Sequence, residues 1–339
     1  MNSVFLTGHT GFKGAWFIAL LAQQGFEIHG FSDEARPDSL FRRGGFSALM
    51  KSEVYADIRE LDQLKSAIRK SKANLVVHFA AQPIVLRGYT NAMETFDVNI
   101  NGTLNALEAS LQAGCERVLI ITTDKVYKDL GKVSAYSERD PLQGWDPYSA
   151  SKAAADIATQ SWLELYRDVI RVDIARGGNV IGGGDDSEFR LVPDIERSVL
   201  IGESVNLRNP TQVRPWQHAL DCLSGYVAIA TRAKGDQNTW NIGPKSDDEK
   251  FTAGQFAEKY LHARGSAIAI VESPSTLKET AFLSLDSSLA FRELGWSPTW
   301  GSQEAMTMTA EWYSRVEMGE HPKSVTLSQV GHFIAAGSS

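Results

Sequence analysis

Cysteine is nearly missing from this sequence: Cys115 and Cys222 are the two in 339 residues. They have neither CxxC spacing nor accompanying histidine clusters, which leaves no basis for a disulfide framework or a zinc site. A reducing, cytoplasmic setting without a bound metal is the expectation. Long apolar runs are also absent, since none reaches the roughly 18 residues that a membrane-spanning helix needs. The opening MNSVFLTGHTGFKG has no basic segment, and Gly8, Gly11 and Gly14 interrupt what would be the apolar core of a signal peptide. Neither secretion nor a membrane partner is expected. Excess positive charge is missing too. A net charge of −7 and a pI near 5.6 argue against a protein that grips a nucleic-acid backbone. There is no repeat of fixed period, no low-complexity tract, and no GxxxxGK[ST] loop for triphosphate hydrolysis.

What the sequence does have is a rhythm. Short runs rich in branched apolar residues recur as SVFLT (3–7), EIHGF (27–31), EVYA (53–56), NLVVHF (74–79), RVLIIT (117–122) and VIRVDIA (169–175). Their continuity is that of strands covered on both faces. Between them, residues 16–24, 61–70, 96–113 and 148–166 carry helical spacing. The alternation predicts the α/β class: a doubly wound parallel sheet of Rossmann type with right-handed crossovers. After about residue 180 glycine and proline thicken, as in GGNVIGGGDD and RNPTQVRPW, which predicts a smaller lobe over 181–330 that carries substrate selectivity. The helical run 218–230 and the strand-like TWNIG (239–243) are apolar enough to return to the first domain, so 1–180 is expected to regain part of 215–243.

The first strand is followed by Gly8-His9-Thr10-Gly11-Phe12-Lys13-Gly14, and then by a helix. Glycine lets a tight turn bring backbone N–H groups against a pyrophosphate at a helix N-terminus. The spacing alone decides little, and its place after the first strand supplies the weight. Gly8, His9, Gly11, Phe12 and Gly14 are therefore candidate dinucleotide contacts. The position at the end of the second strand that holds an adenosine ribose in such folds is read as Ser32, with Asp33 next. Asp57 and Ile58 follow the third strand on the adenine side, a surface-loop role for Asp57 standing beside that reading. Ala80 and Ala81 line the way to the nicotinamide half.

DPYSASK sets Tyr148 and Lys152 four residues apart, on one face of a helix. A phenol acting as base needs a pKa pulled well below about 10, which an adjacent ammonium favours. Thr123, at the end of the fifth strand, is placed to bond the same substrate hydroxyl, because ligands of open α/β sheets lie beyond the carboxyl ends of strands. The strand runs straight into Asp124 and Lys125, an acid and a base at its tip.

TGHTGFKG, HFAAQP, TTDKVY, DPYSASK, GNVIGGGD, RNPTQVRPWQH, SGY and LGWSPTW together resemble the extended short-chain dehydrogenase/reductase superfamily and, within it, the CDP-glucose 4,6-dehydratases. The resemblance runs from about Ser3 to Tyr313. It implies NAD as cofactor, CDP-glucose as substrate, and an internal redox cycle in which Tyr148, helped by Lys152 and Thr123, deprotonates the C4 hydroxyl. It further implies Asp124 as the acid that protonates the leaving C6 hydroxyl. Related dTDP-glucose enzymes carry Asp-Glu at this tip, so Lys125 becomes the base at C5, acting while neutral. A role in merely orienting Asp124 is the alternative. Asn179, Arg190, Arg208 and Arg214 are implied as substrate ligands, salt bridges being the other reading for Arg190 and Arg214. Gln82 joins them as a candidate on the substrate side, with Asn99 as a further support. His78, inside a strand, reads as a core histidine. A homodimer built on helices 96–113 and 148–166 is also implied. One departure stands out: Lys278-Glu279-Thr280-Ala281, before Leu285-Asp286, replaces a His-Glu-Ala string of the family.

Overall fold

Alternation along the strands assigns each face of the sheet to its own core. In β5 (Arg117–Thr123), Val118 and Ile120 point into one apolar cluster, and Leu119 and Ile121 into another on the opposite face. The computed structural model describes residues 3–131, 133–233, 235–245, 248–273 and 282–337. Besides β5, the central strands are β1 (Ser3–Thr7), β2 (Glu27–Ser32), β3 (Ser52–Tyr55), β4 (Leu75–His78) and β6 (Arg171–Gly177). The later ones are β7 (Val180–Ile181), β8 (Val205–Leu207), β9 (Gln217–His218), β10 (Thr239–Ile242) and β11 (Ile270–Glu272).

Seven of these form one parallel sheet in the order β10-β6-β5-β4-β1-β2-β3. The strand order reverses between β1 and β4, and at that point the loops leaving the two strands diverge to opposite faces and open a crevice. The expected α/β doubly wound sheet is therefore present, with strand limits within two residues of those read from the sequence. Parallel pairs β7–β9 and β8–β11 lie outside it.

Helix Ala219–Thr231 packs through Leu220, Leu223 and Tyr226 into the cluster that holds Trp16 and Leu20, and β10 pairs with β6. The last third of 181–330 contributes to two cores. Trp300, Trp312, Val325 and Phe333 join that same first-domain cluster, while Ala305, Met306 and Ala310 face the lobe core around Phe256 and Tyr260. Helix Ser302–Glu317 thus bridges both units. Its two faces are both apolar, so the spacing of the sequence does not say which partner each face takes.

Candidate active site

The tip of β5 does not continue as a strand. Thr123 caps a single 3₁₀ turn, Asp124–Val126, its hydroxyl accepting the Lys125 N–H at 3.4 Å. The turn ends the alternation and separates the neighbouring charges. Asp124 is sealed, at 1% exposure, and receives the Thr123 hydroxyl at Oδ1 over 2.9 Å. Lys125 instead opens onto a cavity of about 290 Å³. Burial raises the Asp124 carboxyl above the usual carboxylate range, against the opposing pull of Lys125, Thr123, Arg214 and Lys13.

Tyr148 reaches the same cavity from the first turn of helix Pro147–Tyr166. Pro147 opens the helix and Asp146 caps it, accepting the Ser149 N–H at 3.0 Å. The helix is tied to the sheet from two sides. A π turn over Asp97–Asn101 drives Asn99 inward, where its amide bridges the Gln82 backbone (2.8 and 3.1 Å) and Ser151 Oγ (2.9 Å). Deeper in, Asp156 is held by Arg176 at 2.8 Å and by the Thr122 hydroxyl at 3.0 Å. Tyr148 is hydrogen-bonded with Thr123, but its phenol is pushed by burial up to about 12. The expected lowering by Lys152 is not found. Burial brings that ammonium down to about 8, Lys13 pushes the same way, and its Nζ is spent on the Ile121 carbonyl at 2.7 Å.

On the opposite wall the cavity collects Asn179, Arg190, Arg208 and Arg214. Arg190 pairs with Asp185 at 3.1 Å, and Arg208 lies over the Phe189 ring at 5.6 Å. Arg214 is 8% exposed, bonded to the Val213 carbonyl at 3.0 Å and to Gln212 Oε1. Gln82 takes an indirect place. Its Nε2 bonds Ile84 O (3.1 Å) and Thr95 Oγ1 (2.9 Å), and its Oε1 accepts the Ile84 N–H (2.7 Å), so it shapes the 83–86 wall. His78 is a core residue as read, held between Thr7 Oγ1 (2.8 Å) and Thr103 Oγ1 (3.2 Å) and lowered to about 3 by burial and by Lys152.

The glycine loop fits a dinucleotide. Gly8 has φ +72°, and a Cβ there would stand 2.7 Å from the Ala80 nitrogen; one at Gly14 would stand 2.5 Å from the His9 carbonyl. The loop after β1 therefore rests backbone to backbone against the loop after β4, and helix Phe12–Gln23 begins at Gly11 with no side-chain cap and no acid in its first turn. Ala81 continues the Ala80 wall, half-buried, and Phe12 packs beside Gly182.

Ser32 is buried and bonded to Thr10 Oγ1 at 2.7 Å, so the free acid beyond β2 is Asp33. The His9 ring is turned inward, 3.3 Å from Glu53 and edge-on to Phe41 at 5.3 Å, and burial lowers its pKa, leaving its backbone to the loop. Asp57 is clasped by Arg59 at 2.9 Å and lies at the surface, while Ile58 is buried against Gly102. Gly8→Ala is expected to strip the purified protein of dinucleotide and to cost about 1–3 kcal/mol through the disfavoured φ and the Ala80 contact. Nucleotide release on denaturation and the melting temperature measure the two effects.

The family model described as GDP-mannose 4,6 dehydratase matches residues 5–309. The chain belongs to this 4,6-dehydratase family. It is 35% identical to the CDP-glucose 4,6-dehydratase of Salmonella typhimurium, with 98% of this chain and 96% of that protein covered. It is 26% identical to a dTDP-glucose 4,6-dehydratase of Haemophilus influenzae over 92% of this chain and 98% of the other. Among solved structures, the dTDP-glucose 4,6-dehydratase of Streptomyces venezuelae, crystallised with NAD, superposes with a TM-score of 0.82 at 23% identity, covering 95% and 99% of the two chains. A UDP-glucose 4-epimerase of Thermotoga maritima matches equally well in shape, at TM-score 0.82, 21% identity and 93% and 99% coverage. These two likenesses speak for the fold.

Within the dehydratase frame, one cavity residue escaped the sequence reading. Lys13, between Phe12 and Gly14 of the glycine loop, faces the cavity beside Tyr148 and Arg190. The signal was a charge inside a motif otherwise built of small and apolar residues. The departing string Lys278-Glu279-Thr280-Ala281 lies outside the described residues. Among the described residues no group of three or more His, Cys, Asp or Glu is placed to hold a metal, and no helix is long and apolar enough to cross a membrane.

Proposed function

We propose that the protein is an NAD-dependent CDP-glucose 4,6-dehydratase that converts CDP-glucose to CDP-4-keto-6-deoxyglucose and water. The observation that carries the proposal is the divided tip of β5: a sealed Asp124, whose carboxyl burial raises above the usual range, and a cavity-facing Lys125, within one turn of Thr123 and near Tyr148. An epimerase of the same fold needs the tyrosine and lysine but no such pair. The 35% identity to a CDP-glucose enzyme over almost the whole chain supports the nucleotide assignment. Carboxylates of Asp33 and Asp57 at the ends of β2 and β3 support NAD, because they repel a 2′-phosphate.

NAD, when bound, accepts a hydride from C4 of the glucose, returns one to C6, and in its oxidised form adds a positive charge that favours the phenolate. The loop Gly8–Gly14 would hold its pyrophosphate, with Ala80 and Ala81 flanking the nicotinamide side. Tyr148 takes the C4 hydroxyl proton, with Thr123 bonded to the same oxygen and Lys152 fixed behind them by Ile121. The C4 ketone acidifies C5–H. Lys125 removes that proton and Asp124 protonates the departing C6 hydroxyl, so water leaves without free hydroxide. Asn179, Arg190, Arg208 and Arg214 orient the diphosphate and the nucleoside, the arginine forks matching phosphate oxygens. We place the selectivity for the sugar nucleotide in the lobe within 181–330.

A homodimer in the cytoplasm completes the proposal. Of the two helices expected to pair, Pro147–Tyr166 carries exposed Ile157 and Leu165, which support pairing of two copies. The deciding experiment supplies CDP-glucose deuterated at C4. Loss of water with deuterium recovered at C6, by mass spectrometry and NMR, is the expected result. An intact sugar with inverted C4 would replace the dehydratase reading with epimerisation, and no turnover of any nucleotide glucose would leave a dinucleotide-binding protein.

A further inference from the structure

Lys13 is a basic residue with no ion-pair partner among the described residues. It is the second residue of helix Phe12–Gln23 and lines the cavity, yet among the described residues it donates no hydrogen bond and meets no carboxylate in an ion pair. Its one close contact is the face of Tyr226, with Nζ 5.7 Å from the ring centre. The acidic groups in range, Cys222 and Asp124, are themselves buried, and burial raises each above its usual range. The other groups acting on it are basic, Arg190 and Lys152, and Arg190 pairs with Asp185 at 3.1 Å.

Two converging cations in an enclosed space, one with no acceptor, repel each other until an anion lies between them. The uncapped N-terminus of the helix that bears Lys13 adds positive potential at the same point. We infer that Lys13 is a ligand for a phosphate oxygen, bridging the glycine loop and Arg190 across a bound diphosphate. The chemistry is common to two sources: the pyrophosphate of the dinucleotide and the diphosphate of the nucleotide sugar. The inference rests on the proposed function only in taking diphosphates as ligands.

Burial holds the Lys13 ammonium below the usual lysine range in the free site, with Arg190 acting in the same sense. An anion beside it acts in the opposite sense, so ligand binding favours the charged form of Lys13. Isothermal titration of the full chain with CDP, and separately with NAD, at pH 8 in two non-phosphate buffers of different ionisation enthalpy reads affinity and proton uptake together. For Lys13→Met we expect a loss of about tenfold or more in affinity for one of the two ligands, together with loss of its buffer-dependent heat. Weakened CDP binding assigns the oxygen to the nucleotide sugar, and weakened NAD binding assigns it to the dinucleotide. Lys13→Arg, with a permanent charge, is expected to bind within a few-fold of the parent and to take up no proton.

Unchanged affinity of Lys13→Met for both ligands overturns the inference. If that variant does not fold, the arginine variant decides: proton uptake equal to the parent's overturns it as well. A parent that binds a diphosphate but does not dehydrate CDP-glucose refutes the proposed activity and leaves this assignment standing.

Discussion

Tyr148→Phe is expected to reduce turnover of CDP-glucose by about a thousandfold or more while the variant folds and still binds CDP and NAD. A positioned general base contributes roughly 10²–10⁴ in rate. Phenylalanine keeps the ring and its place in the first turn after Asp146, so the cap and the Asn99–Ser151 tie remain. The hydroxyl that Thr123 shares is lost, and Thr123 retains its bond to Asp124 at 2.9 Å. The pH dependence of the parent carries the same signature. A phenol at about 12 gains a tenfold larger phenolate fraction with each pH unit below that value, so the C4 oxidation step speeds up as pH rises. Lys152, held at about 8, is protonated below that pH and loses its charge above it, so the cation beside the phenolate disappears there. A break in the single-turnover rate near pH 8 is the expected profile. Lys152→Met should remove the break and slow the reaction throughout the lower range. A Tyr148→Phe variant with near-normal turnover would mean that another group takes the C4 proton.

The sheet was legible because its strands are covered on both faces, so runs such as Val118–Ile121 show as unbroken apolar strings whatever they pack against. Gly8 and Gly14 were legible for a related reason: a backbone approach that excludes Cβ leaves one residue type to choose from. Side-chain direction was not legible. Ser32 and His9 lie in the expected segments, but Thr10 claims the serine hydroxyl and Glu53 and Phe41 claim the imidazole, and both outcomes depend on residues distant in sequence or on the exact turn.

The i, i+4 spacing of Tyr148 and Lys152 gave a shared helix face and, with it, the expectation of an acidified phenol. It carried no information on the Ile121 carbonyl, which takes the ammonium, or on the depth of the wall, which raises the phenol. The C-terminal helices were opaque for the reason that hides most long-range packing. Trp312 could serve either unit until Gly183 and Thr326 are seen against it. Lys13 was overlooked because a motif reads its glycines and ignores what lies between them.

Lys125→Met is expected to halt the reaction after C4 oxidation. Methionine approximates the length of the lysine stem and leaves the 3₁₀ turn intact, since the turn is capped by Thr123 through the backbone of residue 125. The C4 ketone then forms with no group to take the C5 proton. In D₂O the parent exchanges that proton during the cycle, whereas Lys125→Met should release sugar with no deuterium at C5 and hold a steady absorbance at 340 nm. Asp124→Asn separates the other half of the step. Its side chain keeps an oxygen for the Thr123 hydroxyl, and the group it loses is Oδ2, which has no hydrogen-bond partner among the described residues and carries the proton an acid must give. That variant should exchange C5 with solvent yet lose water about 10²-fold more slowly than the parent. Deuterium entering C5 in Lys125→Met at the parent's rate would reduce the lysine to an orienting partner of Asp124. Lys125 itself lines the cavity where the sugar would lie, which argues for the direct role.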